Sequence, residues 1–410
     1  MAIDRVPELL CPAGDLERLQ TALLYGADAV YLSGGSFNLR AKSRGFDLEH
    51  LSSAVSLARG SGVRIYFCLN ALATENDLGP IRKYLDTLSG LEFDAFIVSD
   101  PGIIRLVRKV FPDQVLHLST QAGTYNSQTA LFWSEQGVDR VNLARELSLK
   151  EIKLLARNKA KKPELEVFVH GAMCMAVSGC CLLSAHLNKR SANQGLCTHP
   201  CRFDYRPRAM ALEERTRPGR MTWQVWEEDD YSRILSSDDL CLVKYLPWLI
   251  RNRIDCLKIE GRMKSSGYLG MVIDVYRTAL TDLYNMMFRP DLYLEELALT
   301  GSRPLSSGFF LPERKIFVRP EGGRERKAIL ARVAEKLEES VWLVQVKSLW
   351  KTDRDIELVL PGLRRPVLSN KKYFLETVDS TPLAVAHSGQ TAVLRTDDPQ
   401  VVPHLLIRSA

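Results

Sequence analysis

The chain has 410 residues, 46% of them hydrophobic and 25% charged, with a formal net charge of +6 and a pI near 8.8. This length suits a barrel of about 250 residues plus an accessory domain, and no apolar run approaches the ~20 residues of a membrane span. The mild positive charge is compatible with a polyanionic partner and does not require one. The opening "MAIDRVPELLCPAGD" is acidic early and has no basic-then-apolar leader. The expected setting is therefore a reducing cytoplasm, with the nine cysteines held as thiols or ligands rather than disulfides.

In chain order, short apolar runs read as strands: "ELLCPAG", "ADAVYLSG", "RIYFCLN", "AFIVSD", "LHLST", "RVNLA", "LEVFVHG" and "CLKIEGR". Helical patterns separate them. "DLERLQTALLYG" places Leu16, Leu19 and Leu23 on one face with Asp15 as N-cap, and Asp100 is expected to cap the helix beginning "PGIIRLV". "SQTALFWSEQG" and "YLGMVIDVYRTALTDLYNMM" repeat the pattern. Eight strands alternating with helices predict a (β/α)8 TIM-like barrel over residues 1–295. An open doubly wound sheet would need a glycine-rich phosphate fingerprint in the first turn, which "CPAGD" lacks.

Two stretches break the alternation. A long Cys-rich insertion, about 171–255, precedes the last strand and holds a probable hairpin, "TWQVWEEDDYSRIL"; insertions of this kind at a strand's C-terminal end are usually functional. Beyond about residue 300, "ILARVAEKLEESVWLVQV", "DIELVLPG" and "YFLETV" predict a small C-terminal β-barrel domain, 300–410.

The insertion contains "FVHGAMCMAVSGCCLLSAHLNKRSANQGLCTHPCR". With Cys180 set aside, Cys174, Cys181, Cys197 and Cys201 form C-x6-C-x15-C-x3-C. Soft thiolates in fours favour zinc or an iron–sulfur cluster. The wide gaps fit paired zinc knuckles poorly and suit a bulkier cluster better, while unligated buried or reactive thiols remain a third reading. Cys11, Cys68 and Cys256 lie in apolar strand patterns and are expected to pack as small hydrophobes; Cys241 is an alternative fourth ligand.

Residues just after each barrel strand are expected at the mouth. Asn70, Asp100, His117, Ser119, Gln121, Arg145, Glu146, His170, Glu260 and Arg262 stand there. Of these, Glu260, Arg262, His170, His117, Gln121 and Asn70 are candidate catalytic or substrate-binding groups. The Glu260–Arg262 pair could bind a dicarboxylate or phosphate, could position a proton carrier, or could close the barrel as a structural ion pair. No G-x-S-x-G, H-E-x-x-H or P-loop pattern supports a standard serine hydrolase, zincin or NTPase. Lys189, Arg190, Arg202, Arg206, Arg208, Arg215, Arg217 and Arg220, interleaved with Phe203 and Tyr205, could grip phosphates and stack on unpaired bases, or form a solvated basic loop. "RPLSSGFF", "RPEGGRERK" and "GLRRP" add a second basic set toward the C-terminus.

"EVFVHGAMCMAVSGCCLLS" with "NQGLCTHPCR" resembles the signature of the collagenase-like peptidase (peptidase U) family. "ELLCPAGDLERLQTALLYGADAVYLSG", "SDPGIIRLVRKVFP", "HLSTQAGTYN", "RVNLARELSL" and "LKIEGRMKS" match in the same order, from about Pro7 to Met287. The family includes bacterial RNA-hydroxylating and ubiquinone-synthesis members, and the chain is most similar to its tRNA hydroxylation branch. That resemblance implies wobble uridine converted to 5-hydroxyuridine, tRNA as partner, prephenate as a small carboxylate co-substrate, and a [4Fe-4S] cluster on Cys174, Cys181, Cys197 and Cys201. It tips the basic cluster towards tRNA binding, with Arg190, Arg202, Arg206 and Arg208 as the expected RNA contacts. Cys180 departs from the pattern, standing where relatives commonly have arginine. Ribosomal RNA, a ubiquinone precursor ring and peptide bonds are the alternative substrates.

Overall fold

The computed structural model of the chain describes residues 5–39, 45–157, 163–174, 176–202, 226–228, 231–233, 238–301, 303–313, 315–318 and 327–410. Strands β1 (Glu8–Pro12), β2 (Ala29–Leu32), β3 (Arg64–Leu69), β4 (Ala95–Val98), β5 (Leu116–Leu118), β6 (Arg140–Asn142) and β7 (Glu164–Ala172) pair in parallel in chain order. The insertion then contributes the hairpin β8 (Trp226–Glu228) and β9 (Tyr231–Arg233) and the strand β10 (Asp239–Cys241). β11 (Cys256–Ile259) pairs in parallel with both β7 and β1 and closes an eight-stranded ring. All eight expected barrel strands are present.

The crossovers are α1 (Leu16–Leu24), α2 (Leu48–Gly60), α3 (Glu75–Thr87), α4 (Pro101–Val110), α5 (Ser127–Glu135) and α6 (Leu149–Arg157), then α7 (Leu183–Asn188) and α8 (Leu246–Arg251) in the insertion. α9 (Ser266–Tyr284) and α10 (Pro290–Ala298) follow β11. Short polar caps start them where the sequence places them: Asp15 accepts from Arg18 N–H, and Asp100 accepts from Gly102 and Ile103 N–H with Pro101 at the first turn. No helix of the described residues is long and apolar enough to cross a membrane.

Strand alternation divides two interiors. Leu9, Val30, Phe67, Phe96 and Val141 face the helices in the main core. Leu10, Ala29, Tyr31, Tyr66, Cys68, Ala95, Ile97 and Cys256 face inward and form a separate cluster inside the ring.

β7 departs from regular alternation. Its partner on β11 steps from Phe168 to His170 without using Val169, a bulge that turns His170 out of the barrel. There the imidazole packs edge-on to Tyr276, at 5.5 Å between ring centres, and lies 6.1 Å from Tyr268, both on α9. Gly171 follows at φ +113, where a Cβ would sit 2.6 Å from the Glu260 carbonyl oxygen, so this exit from the ring needs glycine. Beyond the bulge β7 pairs antiparallel with β10, and β12 (Leu305–Ser306) and β13 (Ile316–Val318) extend that edge. The accessory domain therefore starts after residue 318 rather than near 300.

That domain contains β14 (Ile329–Glu338), β15 (Val341–Val346), β16 (Trp350–Lys351), β17 (Ile356–Val359), β18 (Val367–Leu368), β19 (Phe374–Glu376), β20 (Val385–Ala386), β21 (Thr391–Arg395) and β22 (Leu406–Ser409). Seven strands form an antiparallel sheet and β16–β20 a ribbon, around a core of its own that includes Trp350 and Tyr373. It is fastened to the barrel by buried polar contacts. Tyr25 Oη donates to the Val359 carbonyl at 2.7 Å, Asp274 accepts from Gly362 N–H and Arg365 at 2.7 Å each, and Arg408 bridges Glu296 and Glu357.

Burial first, then the nearby Lys264 charge, holds the His170 pKa down to about 3, against 6.5 for a free histidine. The folded protein keeps this ring neutral while an unfolded chain would protonate it. The stability it contributes is intact above pH 6.5 and lost progressively as pH falls toward 3. Urea denaturation should show the stability gap between wild type and His170→Gln narrowing by about 2 kcal/mol between pH 7 and pH 5; an unchanged gap would contradict the neutral, outward ring.

Candidate functional site at the barrel mouth

The barrel lumen is built from charges below and neutral polar groups above. At its base, Arg140 (β6) donates to Glu8 and to Glu164, each at 2.6 Å, Arg64 also pairs with Glu8, and Tyr66 Oη donates to Glu8 at 2.8 Å. One level up, Lys258 pairs with Glu166 at 2.7 Å, with side chains 5% and 2% exposed. The Lys258 ammonium lies 4.8 Å from the Tyr31 ring centre and 5.4 Å from that of Phe168. The Cys256 thiol sits 3.5 Å from both Glu8 and Glu166.

Above this column, Asn70 Nδ2 donates to Ser119 Oγ at 3.1 Å, and Ser119 donates to Gln121 Oε1 at 3.2 Å. His117 faces the lumen, edge-on to Tyr66. Burial, then the charges of Arg140, Lys258 and Arg64, holds its pKa well below the ordinary value, so the ring is neutral. His117 Nδ1, Gln121 Nε2, both amide atoms of Asn142 and Arg145 Nε are buried without a hydrogen-bond partner. An unmade buried hydrogen bond costs about 1–3 kcal/mol, so such a concentration calls for water or a ligand. The unpartnered set contains donors and an acceptor, the Asn142 carbonyl. Arg145 covers the mouth: its guanidinium lies 3.8 Å from the Phe168 ring centre, and Nη1 donates to the Ala172 carbonyl at 2.8 Å.

Of the six candidate catalytic or substrate-binding residues, Asn70, His117 and Gln121 converge here. Arg262 is nearby but donates to Ser33 Oγ at 2.7 Å and Asn38 Oδ1 at 2.9 Å, pinning the loop after β2. Glu260 stands beside the exit of β7, its N–H on the His170 carbonyl at 2.9 Å. His170 lies outside the lumen for the reason given above. Asn142, Glu166, Lys258 and Phe168 were missed as site residues; counting inward positions in twos along β6, β7 and β11 would have found them.

The cysteine loop packs over this mouth. Among the described residues no disulfide joins the nine cysteines. Cys11, Cys68 and Cys256 are buried as expected, and Cys241 is buried beside Tyr276, its pKa pushed up to about 11 by burial. Cys174, Cys181, Cys197 and Cys201 are instead half-buried. Cys181 immediately precedes Leu182 and α7, its N–H donating to Asn193 Oδ1 at 3.1 Å, while Asn193 also accepts from Leu72 N–H of the barrel at 3.0 Å. Thr198, next to Cys197, is tied to Ser184 of α7, and His199 N–H points at Cys197 Sγ at 3.4 Å. Among the described residues no three His, Cys, Asp or Glu side chains are grouped so as to hold a single metal ion. Of the four, Cys181 directly precedes α7 and Cys197 is held beside it through Thr198, its Sγ already receiving an amide N–H; thiolates are the donors that an iron–sulfur cluster takes. Cys180 is exposed, its thiol 3.6 Å from the Gln121 carbonyl.

Arg190 is partly exposed beside this loop, and the backbone of Arg202 ends it; Arg206 and Arg208 lie outside the described residues. In the accessory domain, Arg365 of "GLRRP" is committed to Asp274.

Comparison with known proteins follows the same geography. The chain is 38% identical over 314 residues to "tRNA hydroxylation protein P1" of Bacillus subtilis, covering 75% of this chain and 72% of that one. It is 35% identical over 386 residues to "tRNA hydroxylation protein P" of Escherichia coli, covering 82% and 84%. It is 34% identical over 274 residues to the "23S rRNA 5-hydroxycytidine C2501 synthase" of Escherichia coli, covering 67% of this chain and 39% of that one. Residues 14–317, which span nearly all of the barrel, the cysteine loop and the β12–β13 edge, match Peptidase family U32, and the chain belongs to that family.

Proposed function

We propose that the chain is an RNA-modifying enzyme that hydroxylates the wobble uridine of tRNA to 5-hydroxyuridine at the barrel mouth. One observation carries this reading: the buried, unpartnered mixture of donors and an acceptor on His117, Gln121 and Asn142. A uracil edge presents carbonyl, N–H and carbonyl in sequence, which matches an amide flanked by donors. A purely anionic ligand would leave the Asn142 carbonyl unanswered. Relatives named for tRNA and rRNA hydroxylation support the same class of substrate.

A paired or stacked base cannot reach this depth, so the uridine is swung out of the anticodon loop. Arg145 moves off Phe168 to admit it, leaving the ring as a stacking face. Neutral His117 beside the site can donate or accept a hydrogen bond at Nδ1, according to its tautomer, without placing a charge there. Lys258 and Arg145 supply positive potential for a small carboxylate co-substrate, prephenate by family resemblance. Cys174, Cys181, Cys197 and Cys201 would hold a [4Fe-4S] cluster, which supplies single-electron transfer when bound. Arg190, Arg202, Arg206 and Arg208, which lie in or just after the cysteine segment in sequence, would grip the phosphates. This substrate places the protein in the cytoplasm.

A second reading rests on Cys197 Sγ lying 3.9 Å from His199 Nδ1, the approach of a thiol to a base that a cysteine peptidase would need. Gelatin digestion abolished by Cys197→Ser would support it.

Nucleoside mass spectrometry of tRNA and ribosomal RNA from a deletion strain should show loss of 5-hydroxyuridine from tRNA, restored by the wild-type chain and not by Cys197→Ala. Loss confined to ribosomal RNA, or full rescue by Cys197→Ala, would overturn the reading. Binding to unmodified tRNA should weaken at least about tenfold between roughly 50 and 200 mM salt, as several phosphate contacts require; a flat salt dependence would contradict the RNA interface.

A further inference from the structure

We propose that Glu146 is the positioning residue that fixes the Cys174 and Cys181 thiols relative to each other, by clamping the turn between them to the barrel mouth. What those thiols hold rests on the cluster reading above; the clamp itself does not. The turn runs through Ser178 and Gly179, consecutive residues in the left-handed region at φ +47 and +82, and is closed by Cys180 N–H on the Val177 carbonyl at 2.8 Å. A serine in that region is strained and persists only where its surroundings hold it.

Glu146 does so with both oxygens. Oε1 accepts the Ser178 N–H at 2.5 Å, and Oε2 lies 3.0 Å from the Ser178 hydroxyl and 3.0 Å from Tyr125 Oη, which donates to it. Ser178 is only 2% exposed, so these charge-assisted bonds form away from competing water. The preceding residue, Arg145, holds the Ala172 carbonyl at the other end of the segment, and Met173 is buried in the main core. Cys174 thus sits on a short span tied at both ends to adjacent residues of the loop after β6, and Cys181 leaves that span directly for α7. The same loop carries the guanidinium that covers the lumen, so the thiols and the mouth share one anchor.

A glutamine at 146 keeps an acceptor for the Ser178 N–H, and both hydroxyls can turn to accept from its amide nitrogen. Alanine keeps nothing. The test is timed iodoacetamide alkylation of reduced, metal-free full-length protein, read by peptide mass spectrometry. A second arm measures the iron content of the anaerobically reconstituted protein and, after dithionite reduction of the cluster to its paramagnetic state, its electron paramagnetic resonance spectrum. Glu146→Ala should speed alkylation of Cys174 and Cys181 about tenfold, the loss of a charge-assisted bond, with Cys197 and Cys201 unchanged, and should alter the spectrum. Glu146→Gln, which keeps the hydrogen bonds but not the charge, should raise alkylation less than Glu146→Ala does and leave the spectrum closer to that of wild type. Unchanged alkylation in Glu146→Ala, or an equal rise at all four thiols, would overturn the proposal. A wild type that takes up no iron would sink the cluster reading while leaving the alkylation arm decisive for Glu146.

Discussion

The arrangement of the whole site depends on charges placed inside a closed ring of short strands. Glu8 and Arg140, with Glu166 and Lys258 above them, are buried where water cannot solvate them, and each survives only because its partner is within hydrogen-bond reach. Removing either member of the Lys258–Glu166 pair would strand the other at a cost of about 3–5 kcal/mol, whereas an apolar pair of the same volume would pack at least as stably. Stability alone therefore does not explain their presence. Their effect on function is electrostatic: the Arg140 and Lys258 cations add to the burial that keeps His117 neutral, so the upper lumen offers uncharged hydrogen-bonding groups beneath a cationic rim. That is the environment expected of a pocket for a neutral base.

A single strand joins this pocket to the cysteine loop. β7 serves two sheets, parallel in the ring through its first half and antiparallel to β10 beyond the Val169 bulge. The bulge moves His170 to the α9 side and leaves Phe168 as the last aromatic side chain of the strand inside the lumen. Gly171 then lets the chain pass the Glu260 carbonyl, and the segment that carries Cys174 begins. From the opposite side the loop after β6 meets it with Arg145 on the lumen and Glu146 on the turn. The accessory domain stays fixed to the barrel through Tyr25, Asp274 and Arg408, so whatever it contributes to RNA binding is presented at a set distance from the mouth.

Much of this was legible in the sequence because it is local or periodic. The eight strands, the Asp15 and Asp100 caps, the hairpin in the insertion and the four-cysteine loop follow from alternation, capping chemistry and spacing. Asn70, His117 and Gln121 follow from the rule that barrel sites lie at strand C-terminal ends. The failures come from features that a linear pattern does not encode. A one-residue bulge reverses the face of His170, and only the folded chain shows that Arg262 is occupied by Ser33 and Asn38. The boundary near residue 300 was misplaced because β12 and β13 look like any short strands, although their partner is β10 of the insertion. Lys258 is not singled out by any sequence pattern because its partner Glu166 is far away in sequence and adjacent only across the sheet.

The proposed activity requires the uridine to enter the lumen beneath the cysteine loop. The most direct measurement is photo-crosslinking of an anticodon stem-loop carrying 4-thiouridine at the wobble position, with the attachment site read by mass spectrometry. Crosslinks to the segment from Asn142 to Glu146 or to Phe168 are the expected result. Crosslinks confined to residues 327–410, or to the Arg5 and Glu8 face at the opposite end of the barrel, would contradict it.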